Sequence, residues 1–76
     1  MEHEEIARAF STVYNKFYLK YRDKGLKKTD EEWEEIINFA NEIVKSFNGE
    51  KMVREMVLGI MEQIEIADKK YEKYEK

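Results

Sequence analysis

The chain has no cysteine, no proline and one histidine, and no apolar run approaches the ~18 residues of a membrane span. Without cysteine there is no disulfide framework, thiol nucleophile or thiolate metal site, and no redox compartment can be read. Without proline no helix is forced to break, so interruptions fall to Gly25, Gly49 and Gly59. Charge of one sign is also lacking. Fourteen Lys and Arg against seventeen Asp and Glu leave −3, too mild to mark a polyanionic or polycationic partner. The length of 76 residues allows one domain. The segment Met1-Glu2-His3-Glu4-Glu5 is acidic where a secretory leader needs a basic stretch, so neither a secretory signal nor a membrane partner is expected.

What the chain does have is a 42% apolar share laid out at helical spacing among 41% charged residues. Ile6, Phe10, Val13, Phe17 and Tyr21 recur at steps of four, three, four and four, one buried face of a helix over residues 4–24. Gly25 then sits where a left-handed residue would stop it. Thr29-Asp30-Glu31-Glu32 matches a capping box and opens a second helix over 30–47. Its inner stripe reads Trp33, Ile37, Ala40, Val44 and Phe47, broadened by Ile36, Phe39 and Ile43. Asn48-Gly49 is a helix stop. A third helix over 50–74 carries Val53, Val57, Ile60, Ile64, Ala67, Tyr71 and Tyr74 in alternating steps of four and three. No segment alternates with the period of a strand. Short connections favour antiparallel neighbours, so the expected fold is all-α, an up-down-up three-helix bundle with a long third helix. At ~1.5 Å per residue that helix would reach about 38 Å against about 27 Å for the second.

Catalytic and metal sites find little support. General acid–base and nucleophilic chemistry needs a histidine, a cysteine or a paired carboxylate in a pocket. His3 lies in the N-terminal segment ahead of the first helix, and Ser11 and Ser46 have no histidine near them. Glu31, Glu32, Glu34 and Glu35 fall on the polar side of the second helix, where anions complement the macrodipole. No Glu-x-x-His motif, phosphate loop or dinucleotide fingerprint occurs. The expectation is a chain without catalytic residues, metal or cofactor. A basic segment, Lys16, Lys20, Arg22, Lys24, Lys27 and Lys28, offers the alternative of a small nucleic-acid-binding or regulatory protein. Five anions from Asp30 to Glu35 follow at once and counter it.

The third helix carries more apolar surface than one stripe needs. Met52, Met56, Gly59, Gln63 and Ile66 form a second stripe about a right angle from the first, and Leu58 stands among charges. Gly59 costs about 1 kcal/mol relative to Ala inside a helix, an expense that close approach by another backbone would offset. Met52, Met56, Leu58, Gly59 and Ile66 are therefore the candidate protein interface. Tyr18, Tyr21, Tyr71 and Tyr74 are a second one, since tyrosine is enriched at interfaces. The partner expected first is a second copy, giving a homodimer.

The run from Lys27 to Ile37, followed by Ala40-Asn41-Glu42-Ile43 and more loosely by Val53-Arg54-Glu55-Met56-Val57-Leu58, resembles small uncharacterised helical proteins of Gram-positive (Firmicutes) gut bacteria and their phages or mobile elements. No activity is carried over by it. The resemblance implies a cytoplasmic accessory protein of a phage or mobile element, of a kind that binds and inhibits a host defence protein.

Overall fold

A computed structural model describes residues 1–72, and these hold three helices and no strand. Helix α1 is continuous over 3–21 and changes pitch twice. It is α-helical over His3–Ser11, π-helical over Thr12–Tyr18, and closes with an α-helical turn over Leu19–Tyr21. Helix α2 is Asp30–Ser46 and α3 is Lys51–Glu72.

The ends of these helices follow from local chemistry. The α2 capping box forms as the sequence predicts. The Thr29 hydroxyl accepts from the Glu32 N–H at 3.1 Å, and Glu32 Oε1 accepts from the Thr29 N–H at 3.1 Å. At its other end, Gly49 N–H donates to the Val44 carbonyl at 2.9 Å and Asn48 N–H to that of Lys45 at 3.0 Å. This is a Schellman stop, and it places Asn48 at φ 59° and Gly49 at φ 69°. Helix α1 ends differently from the expectation. Arg22, with ψ at 166°, leaves the helix three residues before Gly25. Gly25 instead serves a turn in the loop, where its N–H donates to Asp23 Oδ1 at 2.9 Å.

All three helices contribute to one core. Ala9, Val13, Phe17 and Tyr21 of α1 meet Ile36, Ala40 and Ile43 of α2, Phe47 just beyond it, and Val53, Val57 and Ile64 of α3. The α3 stripe is the one expected. Helix α1 departs from expectation: Ala9 is buried and Phe10 is exposed. The π-helical segment is the reason. In an α-helix a four-residue step drifts about 40°, and steps of three must alternate with steps of four to stay on one face. The wider turn of i→i+5 bonding instead lets Ala9, Val13, Phe17 and Tyr21 follow one another in strict fours. Helix α2 is also turned from its expected setting. Ile36, Ala40 and Ile43 face inwards, Trp33 and Val44 pack at the margin, and Ile37 faces out.

Aromatic contacts tie α1 to α2. Phe17 and Tyr21 meet edge-on with centroids 5.7 Å apart, and each lies 6.0 Å from Phe39. The Arg8 guanidinium covers the Phe47 ring at 5.0 Å.

Candidate functional site

Helix α3 leaves a groove on each side. Between α1 and α3 lies one of about 370 Å³, walled by Phe10, Val13 and Tyr14 from α1 and by Met56, Gly59, Ile60 and Gln63 from α3, with Glu55 at its edge. Phe10 is 57% exposed and Tyr14 is 54% exposed. The Tyr14 ring stacks on Tyr18 at 5.7 Å, which holds it in place. A methyl group added at Gly59 would meet nothing within 4 Å, so the groove is open over that backbone.

Between α2 and α3 lies a second groove of about 320 Å³, where Ile37 and Leu58 stand exposed above Ala40, Val44, Val57 and Met61. The candidate interface read from the sequence is thus divided. Met56 and Gly59 share the α1–α3 groove, whereas Leu58, 62% exposed, belongs to the other flank. Met52 and Met56 are half-buried and pack against the core. Ile66 is exposed and lines neither groove.

The tyrosine cluster is divided as well. Tyr18 is half-buried beside Tyr14, Tyr21 is buried, and Tyr71 is half-buried with its hydroxyl donated to Asp23. Tyr74 lies outside the described residues.

Two carboxylates join the C-terminal turns of α3 to the loop after α1. Asp23 accepts from the Tyr71 hydroxyl, and its other oxygen accepts from Lys70 Nζ at 2.9 Å. Asp68, buried, accepts the Lys28 backbone N–H at 2.7 Å and the Trp33 indole N–H at 3.2 Å. The Tyr71 hydroxyl, with the Gly25 N–H and Lys70, holds the Asp23 carboxyl well below the usual carboxylate range. The same contact pushes the Tyr71 phenol and the Lys70 ammonium up. Burial raises the Tyr21 phenol, with Lys20 opposing the shift and Glu35 adding to it.

The basic segment converges in part. Lys20, Arg22, Lys24, Lys27 and Lys28 line one pocket of about 290 Å³ with Tyr21, Leu26, Thr29 and Glu32; Lys16 does not reach it. Lys20 also approaches Glu35 at 3.8 Å.

The serines are engaged locally. Ser11 Oγ accepts from Asn15 Nδ2 at 3.2 Å, and Ser46 Oγ donates to the Ile43 carbonyl at 2.7 Å. Among the described residues no group of three His, Cys, Asp or Glu side chains could hold a metal ion, and no helix is long and apolar enough to cross a membrane.

Sequence reasoning missed Phe10, Tyr14 and Ile37 as groove residues and Trp33, Asp23 and Asp68 as a polar clasp. One signal for the clasp was present. Asp68 sits beside Ala67 and three residues before Tyr71, next to the apolar stripe, where an acid needs a donor. Comparison of the chain with protein-family models, curated proteins and solved structures finds no match.

Proposed function

We propose that this chain is a non-catalytic helical protein-interaction module that self-associates along the α1–α3 groove. One observation carries the reading: Phe10 and Tyr14, one turn apart, stand more than half exposed over a groove whose opposite wall is Met56 and Gly59. Removing such rings from water favours association, aromatic anchors dominate interface energetics, and methionine adapts to the shape it meets. An uncovered Gly59 lets a facing helix approach closely. In this reading the helices run up-down-up with α3 the longest, an order supported by the contacts of Lys70 and Tyr71 with Asp23 and of Asp68 with Trp33. A second copy is the first partner and a host protein the next. The wider proposal, a phage or mobile-element accessory protein that inhibits a host defence protein, rests on the sequence resemblance alone.

Sedimentation of the full chain from micromolar to millimolar concentration tests it. Mass should rise with concentration, and Phe10→Glu or Tyr14→Glu should return the chain to monomer. A chain that stays monomeric throughout, with both variants unchanged, overturns the self-association reading.

A second reading, nucleic-acid binding, is favoured by the convergence of five cations on one pocket. Salt-dependent retention on immobilised DNA that Lys20→Glu/Lys24→Glu abolishes supports it. Absence of retention at low salt removes it.

A further inference from the structure

On the α2 flank of α3, Leu58 stands exposed above a groove whose floor includes Ala40 and Val57 and whose other rim is Ile37, 47% exposed. Arg54 is the one charged residue that lines this groove, and no carboxylate does. A single exposed leucine is ordinary. What distinguishes Leu58 is the order of the charges around it.

Arg54 lies one turn before Leu58 and Glu62 one turn after it, while Lys51 and Glu65 lie two turns before and after. At about 100° per residue, all five fall within about 80° of the helix circumference, and all are exposed. Cations thus precede Leu58 and carboxylates follow it. Lys51 and Glu65 each have a partner on their own helix, Glu55 at 3.7 Å and Lys69 at 3.4 Å. The side chains of Arg54 and Glu62 have no ion pair or hydrogen bond among the described residues.

A row of charges that changes sign about its centre complements itself when turned end for end. An antiparallel copy of α3 centred on Leu58 sets Arg54 against Glu62 of the second copy, and Lys51 against its Glu65. A parallel copy would set Arg54 on Arg54 and Glu62 on Glu62, like charges that oppose contact. Charges flanking a helical seam fix partner and orientation in this way.

We infer that the α2–α3 flank is a contact between copies of this chain, with two α3 helices antiparallel about Leu58 and Arg54 of each paired to Glu62 of the other. Such a contact is two-fold symmetric, and it takes Leu58 and Ile37 out of water. Exposed ion pairs contribute little and the apolar seam is small, so the contact made once is weak. Where copies already pair along the α1–α3 groove, two pairs close into a tetramer that makes it twice, the second time at the high effective concentration set by the first. The strength of the assembly rests on that proposed pairing; the charge pattern about Leu58 does not.

Sedimentation equilibrium of the full chain, with Arg54→Glu and Glu62→Arg as variants, tests the inference. Both positions are exposed, so circular dichroism should read an unchanged fold. The parent should reach a tetramer at high concentration, and each variant should stop at the dimer or need about tenfold more protein to pass it. Mixed in equal amounts, the two variants oppose unlike charges at both positions and should assemble as the parent does. The double variant Arg54→Glu/Glu62→Arg, its charges exchanged, should do the same. Variants that assemble like the parent overturn the contact, as does a loss that mixing fails to repair. A parent that stops at a dimer, dissociated by Phe10→Glu and untouched by Arg54→Glu, overturns it and keeps the α1–α3 groove. A dimer that survives Phe10→Glu and is lost in Arg54→Glu supports it and moves the first pairing to this flank. A chain monomeric throughout overturns both.

Discussion

The indole N–H of Trp33 donates to the buried carboxylate of Asp68 across 3.2 Å and 35 residues of chain. The other Asp68 oxygen takes the Lys28 N–H at 2.7 Å, so one side chain of α3 fixes both the loop and the first turns of α2. Asp68→Ala leaves two donors without an acceptor. The expected cost is about 2 kcal/mol or more, a fall in Tm of roughly 10 °C for a domain of this size. Asp68→Asn keeps one acceptor oxygen and should cost less. Urea denaturation followed by circular dichroism measures both; a variant Asp68→Ala as stable as the parent sinks the clasp.

Asp23 and Tyr71 make stability depend on pH at both ends of the scale. The folded carboxyl titrates below its unfolded value of about 3.9. Its contribution is therefore complete above that value and lost as pH falls towards the folded one. The folded phenol titrates above its unfolded value of about 10. Its contribution is complete below that and lost as pH rises through the folded value. Asp23→Asn should flatten both limbs of the stability–pH curve, and Tyr71→Phe should abolish the phenol's part of the alkaline limb and weaken the acid one, because its hydroxyl is the main donor to Asp23. Thermal melts from pH 2 to pH 11 read the result; an unchanged alkaline limb in both variants refutes the coupling.

Gly59 lies mid-helix with open space above it. Gly59→Ala should raise the stability of the isolated chain by about 1 kcal/mol. If the groove is a docking surface, the same substitution weakens association by adding bulk where two backbones approach. A higher Tm in dilute solution with a weaker dimer is the paired outcome to look for. A higher Tm with association unchanged separates Gly59 from the interface.

Phe17 and Phe10 share one face in an all-α reading, yet only Phe17 is buried. Phe17→Ala should cost about 3–5 kcal/mol, as much as a core of this size contributes on balance, and leave the chain largely unfolded. Phe10→Ala should cost less than about 1 kcal/mol. Equal losses would place Phe10 in the core and remove the α1–α3 groove from consideration.

The sequence reading succeeded where local chemistry decides. The capping box at Thr29 and Glu32 and the stop at Asn48-Gly49 depend on neighbouring residues alone, and both formed as spacing indicated. The α3 stripe was also legible, because Val53, Val57 and Ile64 compete with no equally apolar face. Helix α2 carries two comparable stripes, and hydrophobicity could not rank them. Asp68 holds Trp33 by its indole at the margin of the core, and Ile36 and Ile43 face inwards in place of Ile37. Helix α1 was misread by one residue because the period assumed, 3.6, does not hold over Thr12–Tyr18. The grooves and the clasp were hidden for a further reason: each joins segments far apart along the chain, and no single window contains them.

The wide-pitched stretch of α1 amounts to a ratchet with its teeth one notch from another setting. Returning Thr12–Tyr18 to ordinary pitch would twist everything before it about 40° for each four residues, swinging Phe10 inwards and Ala9 out to water. The pitch of Thr12–Tyr18, which begins two residues after Phe10, thus decides which side chain of the preceding turn meets the core, and here it is the smaller one, Ala9.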